Sequence, residues 1–142
     1  MKKTILFALL ALLAVAMVAC GGGASEPAAG GGESAGGPTT HNIKGEDIAF
    51  DVTELTASAN NQITVNFENV GTLEHNWVLL PPGVDPLAAT EADAIAGADA
   101  GIVPGGESVT FSFAAPPAGT YDYVCTVEGH AAAGMVGKLT IQ

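Results

Sequence analysis

Near its end the chain reads Cys125-Thr126-Val127-Glu128-Gly129-His130-Ala131-Ala132-Ala133-Gly134-Met135, with a thiol, an imidazole and a thioether recurring every five residues. Beyond residue 20 the sequence contains no other cysteine and no other methionine. Singly, each has an ordinary role: a small buried hydrophobe, a loop histidine, a core gap filler. Together they are what copper takes, a thiolate and imidazoles in a trigonal plane with a weak, long thioether contact along the axis. A second imidazole is then required. His75 is the expected donor, because it opens the apolar run Glu74-His75-Asn76-Trp77-Val78-Leu79-Leu80, a strand able to lie beside the one that carries Cys125. His41 competes for the place, but it stands at the end of a linker, and a linker holds a rigid site poorly. The expected set is His75, Cys125, His130 and Met135, holding one copper per chain that cycles between Cu(I) and Cu(II). Asn76 is either a turn former or a brace whose amide bridges to the backbone or hydroxyl of Thr126 and holds the ligand loop.

The elements that must position these residues read as strands. Ile63, Val65 and Phe67 alternate with polar neighbours, as do Val109, Phe111 and Phe113, and Leu139 and Ile141. Turn formers punctuate the runs at Asn60-Asn61, Val70-Gly71, Gly105-Gly106 and Pro116-Pro117-Ala118-Gly119. Short strands with such turns predict an all-β sandwich. Tyr121, Tyr123 and Cys125 fall on one strand face, with Tyr121 placed to form a tyrosine corner. Leu87, Glu91, Ala94, Ile95 and Ala98 lie near helical spacing in an alanine-rich run, which predicts a short helical insertion near 86–101.

The N-terminus carries no such pattern. Lys2 and Lys3 precede an apolar run and the small residues before Cys20, a signal-peptide pattern over 1–19. Met17-Val18-Ala19-Cys20 resembles a bacterial lipobox, so Cys20 is the expected lipidation site. Residues 20–44 then read as the lipidated cysteine and a flexible Gly/Ala/Ser/Pro linker, and 45–142 as the folded domain. Removal of 1–19 leaves two lysines against fifteen carboxylates, a net charge of −13, and the whole chain has no arginine. Such a surface excludes nucleic acid as a partner and suits a basic protein. Two cysteines in such different settings are no disulfide framework.

The pattern Tyr121-x-Tyr123-x-Cys125-x4-His130-x4-Met135, with His75-Asn76 fifty residues upstream, resembles the cupredoxins, and among them the auracyanins, membrane-associated blue-copper proteins. The likeness runs from about residue 45 to 142 and includes Ile48-Ala49-Phe50-Asp51, Thr53-Glu54-Leu55-Thr56 and Ala118-Gly119-Thr120-Tyr121. It implies an eight-stranded Greek-key β-sandwich with copper at one end and His130 as the imidazole that reaches the surface. Pro81, Pro82, Ala131, Ala132 and Ala133 are the expected apolar rim around it. It further implies a one-electron carrier, expected to be monomeric because it must dock and leave, and the N-terminal pattern predicts that it is exported and lipid-anchored at the outer face of the cell membrane or in the periplasm. Its partners would be a quinol-oxidising complex as donor and a cytochrome or oxidase as acceptor. The residues speak against an enzyme. Val124 and Thr126, rather than histidines, flank Cys125; no second cysteine is available for a two-copper site; and three histidines are too few for a second copper. The alternative is a copper-binding or copper-delivery lipoprotein.

Overall fold

Burial with a period of two runs through β4 (Gln62–Asn69), where Ile63, Val65, Phe67 and Asn69 point inward and the residues between them outward. The computed structural model describes residues 36–142. The expected signal segment, Cys20 and the linker as far as residue 35 lie outside the described residues. β4 is flanked by β1 (Thr39–Glu46) in parallel and β6 (Ser108–Ala114) in antiparallel pairing, and β1 carries the two-residue β2 (Ala49–Phe50) at the edge. The second sheet runs β3 (Glu54–Ala57), β8 (Val136–Ile141), β7 (Gly119–Val124), β5 (Val78–Leu79), with β3 parallel to β8. The two inner faces close on one core. Trp77 joins them, its ring stacked on Tyr123 at 5.2 Å and tilted against Phe111 and Phe113 of β6. The all-β sandwich is thus as expected. The tyrosine corner is present too: the Tyr121 hydroxyl donates to the Pro117 carbonyl at 2.8 Å.

Two expectations change. The linker does not extend to residue 44, because Thr39 to Lys44 are strand, paired from Thr39↔Ile63 to Gly45↔Asn69. Only Ile43 and Gly45 of β1 are buried, so the strand carries almost no alternating apolar signal and is recruited by the exposed edge of β4. His41 is therefore half-buried on a strand, paired with Val65. It sits four residues before Gly45, about 13 Å from the end of the sandwich where His75 lies.

The helical insertion contracts to a single 3-10 turn, Glu91–Asp93. The backbone groups around it bond sideways to the extended segment 75–79, which includes β5, instead of along a helix. Ile95 N–H donates to Leu79 O, Leu79 N–H to Ala98 O, and Ala100 N–H to Trp77 O, while His75 and Val103 exchange both bonds. The run at 95–103 thereby serves as the missing edge partner of β5. Residues before it cover the outer face of the sheet, where Val84, Ala89 and Ala94 pack on Val78, Leu80 and Val124. Burial on both faces explains why 77–80 reads as an unbroken apolar run. Among the described residues no helix is long and apolar enough to cross a membrane.

Candidate metal centre

His75 is seated by the scaffold. Its N–H donates to Val103 O at 3.1 Å and its carbonyl accepts from Val103 N–H at 2.8 Å. Gly45 lies against the ring, where a β-carbon would come within 2.8 Å of Phe67 and 3.4 Å of His75 Cδ2. The approach to His75 is held from below by Asn69. This fully buried amide donates to Leu73 O and to Val103 O, each at 2.8 Å, and accepts from Gly71 N–H at 3.0 Å. Asp47 completes the seat by accepting from the N–H groups of Thr72 at 2.7 Å and Leu73 at 3.2 Å, and these bonds hold its carboxyl below the usual range.

The other three residues come from one loop. Cys125 leaves the end of β7, and the chain folds back in tight turns: His130 N–H donates to Val127 O, Gly134 N–H to Ala131 O, and Met135 N–H to His130 O. Gly134, with φ +107, takes a backbone conformation that side chains disfavour. Met135 O then accepts from Cys125 N–H at 3.1 Å, closing the loop, and both side chains are fully buried in the main core.

The two seats bring three donor atoms to one point. His75 Nδ1 and His130 Nδ1 are 3.2 Å apart, and Cys125 Sγ lies 3.9 Å from the former and 3.5 Å from the latter. Bonds of about 2.0–2.1 Å to imidazole and about 2.3 Å to thiolate, arranged in a trigonal plane, require edges of about 3.5 and 3.8 Å. The triangle therefore has the size a single copper ion needs, and a softer donor, Met135, is fastened to both Cys125 and His130.

Burial acts on the two kinds of donor in opposite senses. Burial pushes the His75 pKa down, the neighbouring His130 adds to this, and the Asp47 charge and Glu46 carbonyl oppose it, so the ring is a neutral ligand. Burial pushes the Cys125 thiol up, countered by the N–H groups of Asn76 and Val127 directed at the sulfur. A thiol held this way gives up its proton to a metal more readily than to water.

Asn76 is fully buried and spans the two seats. Its Nδ2 donates to Thr126 Oγ1 at 2.7 Å, and its Oδ1 accepts from Thr126 N–H at 2.7 Å. It thus reaches both the backbone and the hydroxyl of Thr126. Neither Asn69 nor Asp47 stood out in the sequence. The signal available for Asn69 was a polar residue continuing the inward row of Ile63, Val65 and Phe67.

Among the described residues, His75, Cys125 and Met135 have no exposed surface whereas His130 keeps 8% of its own, so the centre meets solvent along the His130 side. The rim differs from expectation. Leu80 N–H bonds Asp122 O, three residues before Cys125, so Pro81 and Pro82 continue away from the site. Pro86, Leu87, Ala88 and Ala89 return instead, lining with Ala131 and Ala132 a cleft of about 260 Å³ beside Cys125. Leu87 is 67% exposed there.

Comparison with known proteins agrees with this geometry. The family of copper binding proteins described as plastocyanin/azurin matches residues 39–142. Auracyanin-A of Chloroflexus aurantiacus is 40% identical over 98% of this chain and 96% of its own length. The solved structure of auracyanin A, a "blue" copper protein from that bacterium, superposes with a TM-score of 0.62 at 38% identity, covering 74% of this chain and 99% of that one. Dithionite-reduced auracyanin from Roseiflexus castenholzii gives 0.63 at 31% identity, over 73% and 96%. The chain therefore belongs to the plastocyanin/azurin family of copper-binding proteins, with copper as its cofactor.

Proposed function

We propose that the protein is a membrane-tethered one-electron carrier, in which His75, Cys125, His130 and Met135 would hold the copper. Copper bound there supplies reversible one-electron chemistry between Cu(I) and Cu(II). The observation that carries the reading is the prearranged triangle of buried donors with a single imidazole edge at the surface. The hydrogen bonds that seat the donors would hold them in place whichever oxidation state the bound copper had. The surrounding core excludes water from Cys125 and Met135. His130 offers the closest approach to a docking partner, beside the apolar surface of Leu87, Ala131 and Ala132.

Export, attachment through lipid on Cys20 and the linker that follows would keep the head near membrane-bound partners. The strongly acidic surface favours a cationic docking face on those partners. A quinol-oxidising complex as donor and a cytochrome or oxidase as acceptor fit this placement, and the likeness to auracyanins supports it. Val124 and Thr126 flank Cys125 and offer no histidine path toward a second metal, which supports a carrier over an oxidase.

A redox titration of the copper-loaded protein tests the reading. A carrier takes up one electron per chain reversibly and retains the metal in both states. Loss of copper on reduction would instead identify a delivery protein. Run on cell fractions, the same signal should lie with the membranes for the natural chain and move to the soluble fraction for Cys20→Ser.

A further inference from the structure

The Asn76 amide has a third partner that belongs to neither seat. Its second Nδ2 hydrogen goes to Glu91 Oε1 at 3.0 Å. Glu91 lies in the 3-10 turn of the segment that covers β5, and its place there is fixed. Asp93 Oδ2 accepts from both the N–H and the hydroxyl of Thr90 at 2.8 Å, Ala94 N–H donates to Glu91 O at 3.2 Å, and Ile95 N–H ties the turn to Leu79 O. The carboxylate is thus presented to Asn76 by a turn anchored on β5.

The chemistry of the contact is one-directional. An ionised carboxylate only accepts, so it selects the orientation of the amide that turns Nδ2 toward it and Oδ1 toward Thr126 N–H. The flipped amide would set its oxygen against the Glu91 carboxylate and its Nδ2 against the Thr126 N–H, losing both of those bonds, while the Thr126 hydroxyl, able to donate or accept, does not choose between the two orientations. The bond to Glu91 is also charge-assisted, hence stronger than a neutral one. Asn76 directly follows His75, and Thr126 is the residue that leaves Cys125. The amide orientation is therefore transmitted to Cys125 through Thr126.

We infer that Glu91 is a positioning residue of the metal centre, fixing the Asn76 amide and through it the chain leaving Cys125. Its negative charge also favours the oxidised, more positive form of the site. The second statement rests on the copper reading above; the first does not.

The test has two arms. In the copper-free protein, Glu91→Ala should speed hydrogen exchange of the Thr126 amide about ten-fold, the loss of one charge-assisted bond's worth of protection, with the Leu139 amide of β8 unchanged. Glu91→Gln, whose side-chain carbonyl can still accept, should restore slow exchange. In the copper-loaded protein, both variants should raise the reduction potential, because both remove the charge. Unchanged Thr126 exchange in Glu91→Ala, or failure of the glutamine to restore it, overturns the positioning role. An unmoved potential in Glu91→Gln overturns the electrostatic role. Failure to bind copper at all would sink the proposed function while leaving the exchange arm able to decide on Glu91.

Discussion

Asn69 and Asn76 are both fully buried, and each holds one half of the metal centre, yet they do so in different ways. Asn69 stands on a strand and bonds only main chain, at Leu73, Val103 and Gly71, thereby building the seat under His75 before any ligand loop is considered. Asn76 sits beside His75 and reaches across fifty residues to Thr126, fastening the loop that brings Cys125, His130 and Met135. One asparagine belongs to the scaffold and the other joins scaffold to loop. The difference implies that the His75 half is as stable as the sandwich, whereas the loop half depends on a few side-chain bonds at its root.

Replacing each asparagine is the sharpest way to separate the halves. Asn69→Ala leaves the part-buried Gly71 N–H and Leu73 O short of partners and should lower the unfolding free energy of the copper-free protein by about 3 kcal/mol. The loop's exchange rates should otherwise follow that global loss. Asn76→Ala should cost less, about 2 kcal/mol, but should raise exchange at Thr126 by more than the global loss explains. Chemical denaturation read beside amide exchange distinguishes the two, and equal local effects would break the comparison.

Tyr121→Phe is a control on the scaffold alone. It removes the hydroxyl bond to Pro117 at the opposite end of β7 and should cost about 1 kcal/mol in denaturation. The copper spectrum should stay as it was, because the Tyr121 hydroxyl touches neither seat.

The smallest effect is a pH dependence in the His75 seat. Its folded pKa lies below the ordinary 6.5, mainly through burial, so the unfolded chain binds a proton first as the pH falls. Stability contributed by this group is whole above pH 6.5 and is lost progressively as the pH drops toward the depressed folded value. His41, also lowered by burial, acts in the same direction, so thermal unfolding of copper-free His41→Gln should show a shallower but surviving slope. No slope below pH 6.5 would contradict the neutral, buried His75.

The sequence made the donors more legible than the frame. Cys125, His130 and Met135 announce themselves by residue type, scarcity and spacing, and the central strands by alternation. β1 was hidden because a strand with one inward hydrophobe, Ile43, is specified by its neighbour's edge rather than by its own pattern. The run at 86–101 has helical spacing, but its backbone is claimed by β5 and Trp77, a tertiary demand that overrides local preference. Asn69, Asp47 and Glu91 were invisible for a related reason. Their importance lies in partners 2 to 34 residues away in the chain, most of which only the fold brings together.

The central claim is that the two halves converge on one copper ion bound through Cys125. Its most direct test is the visible spectrum of the purified protein after addition of Cu(II), before and after ascorbate, beside Cys125→Ala. An intense thiolate-to-copper band that bleaches on reduction and is missing from the variant is the predicted result. A protein that stays colourless under excess copper, or a band that persists in Cys125→Ala, would contradict it.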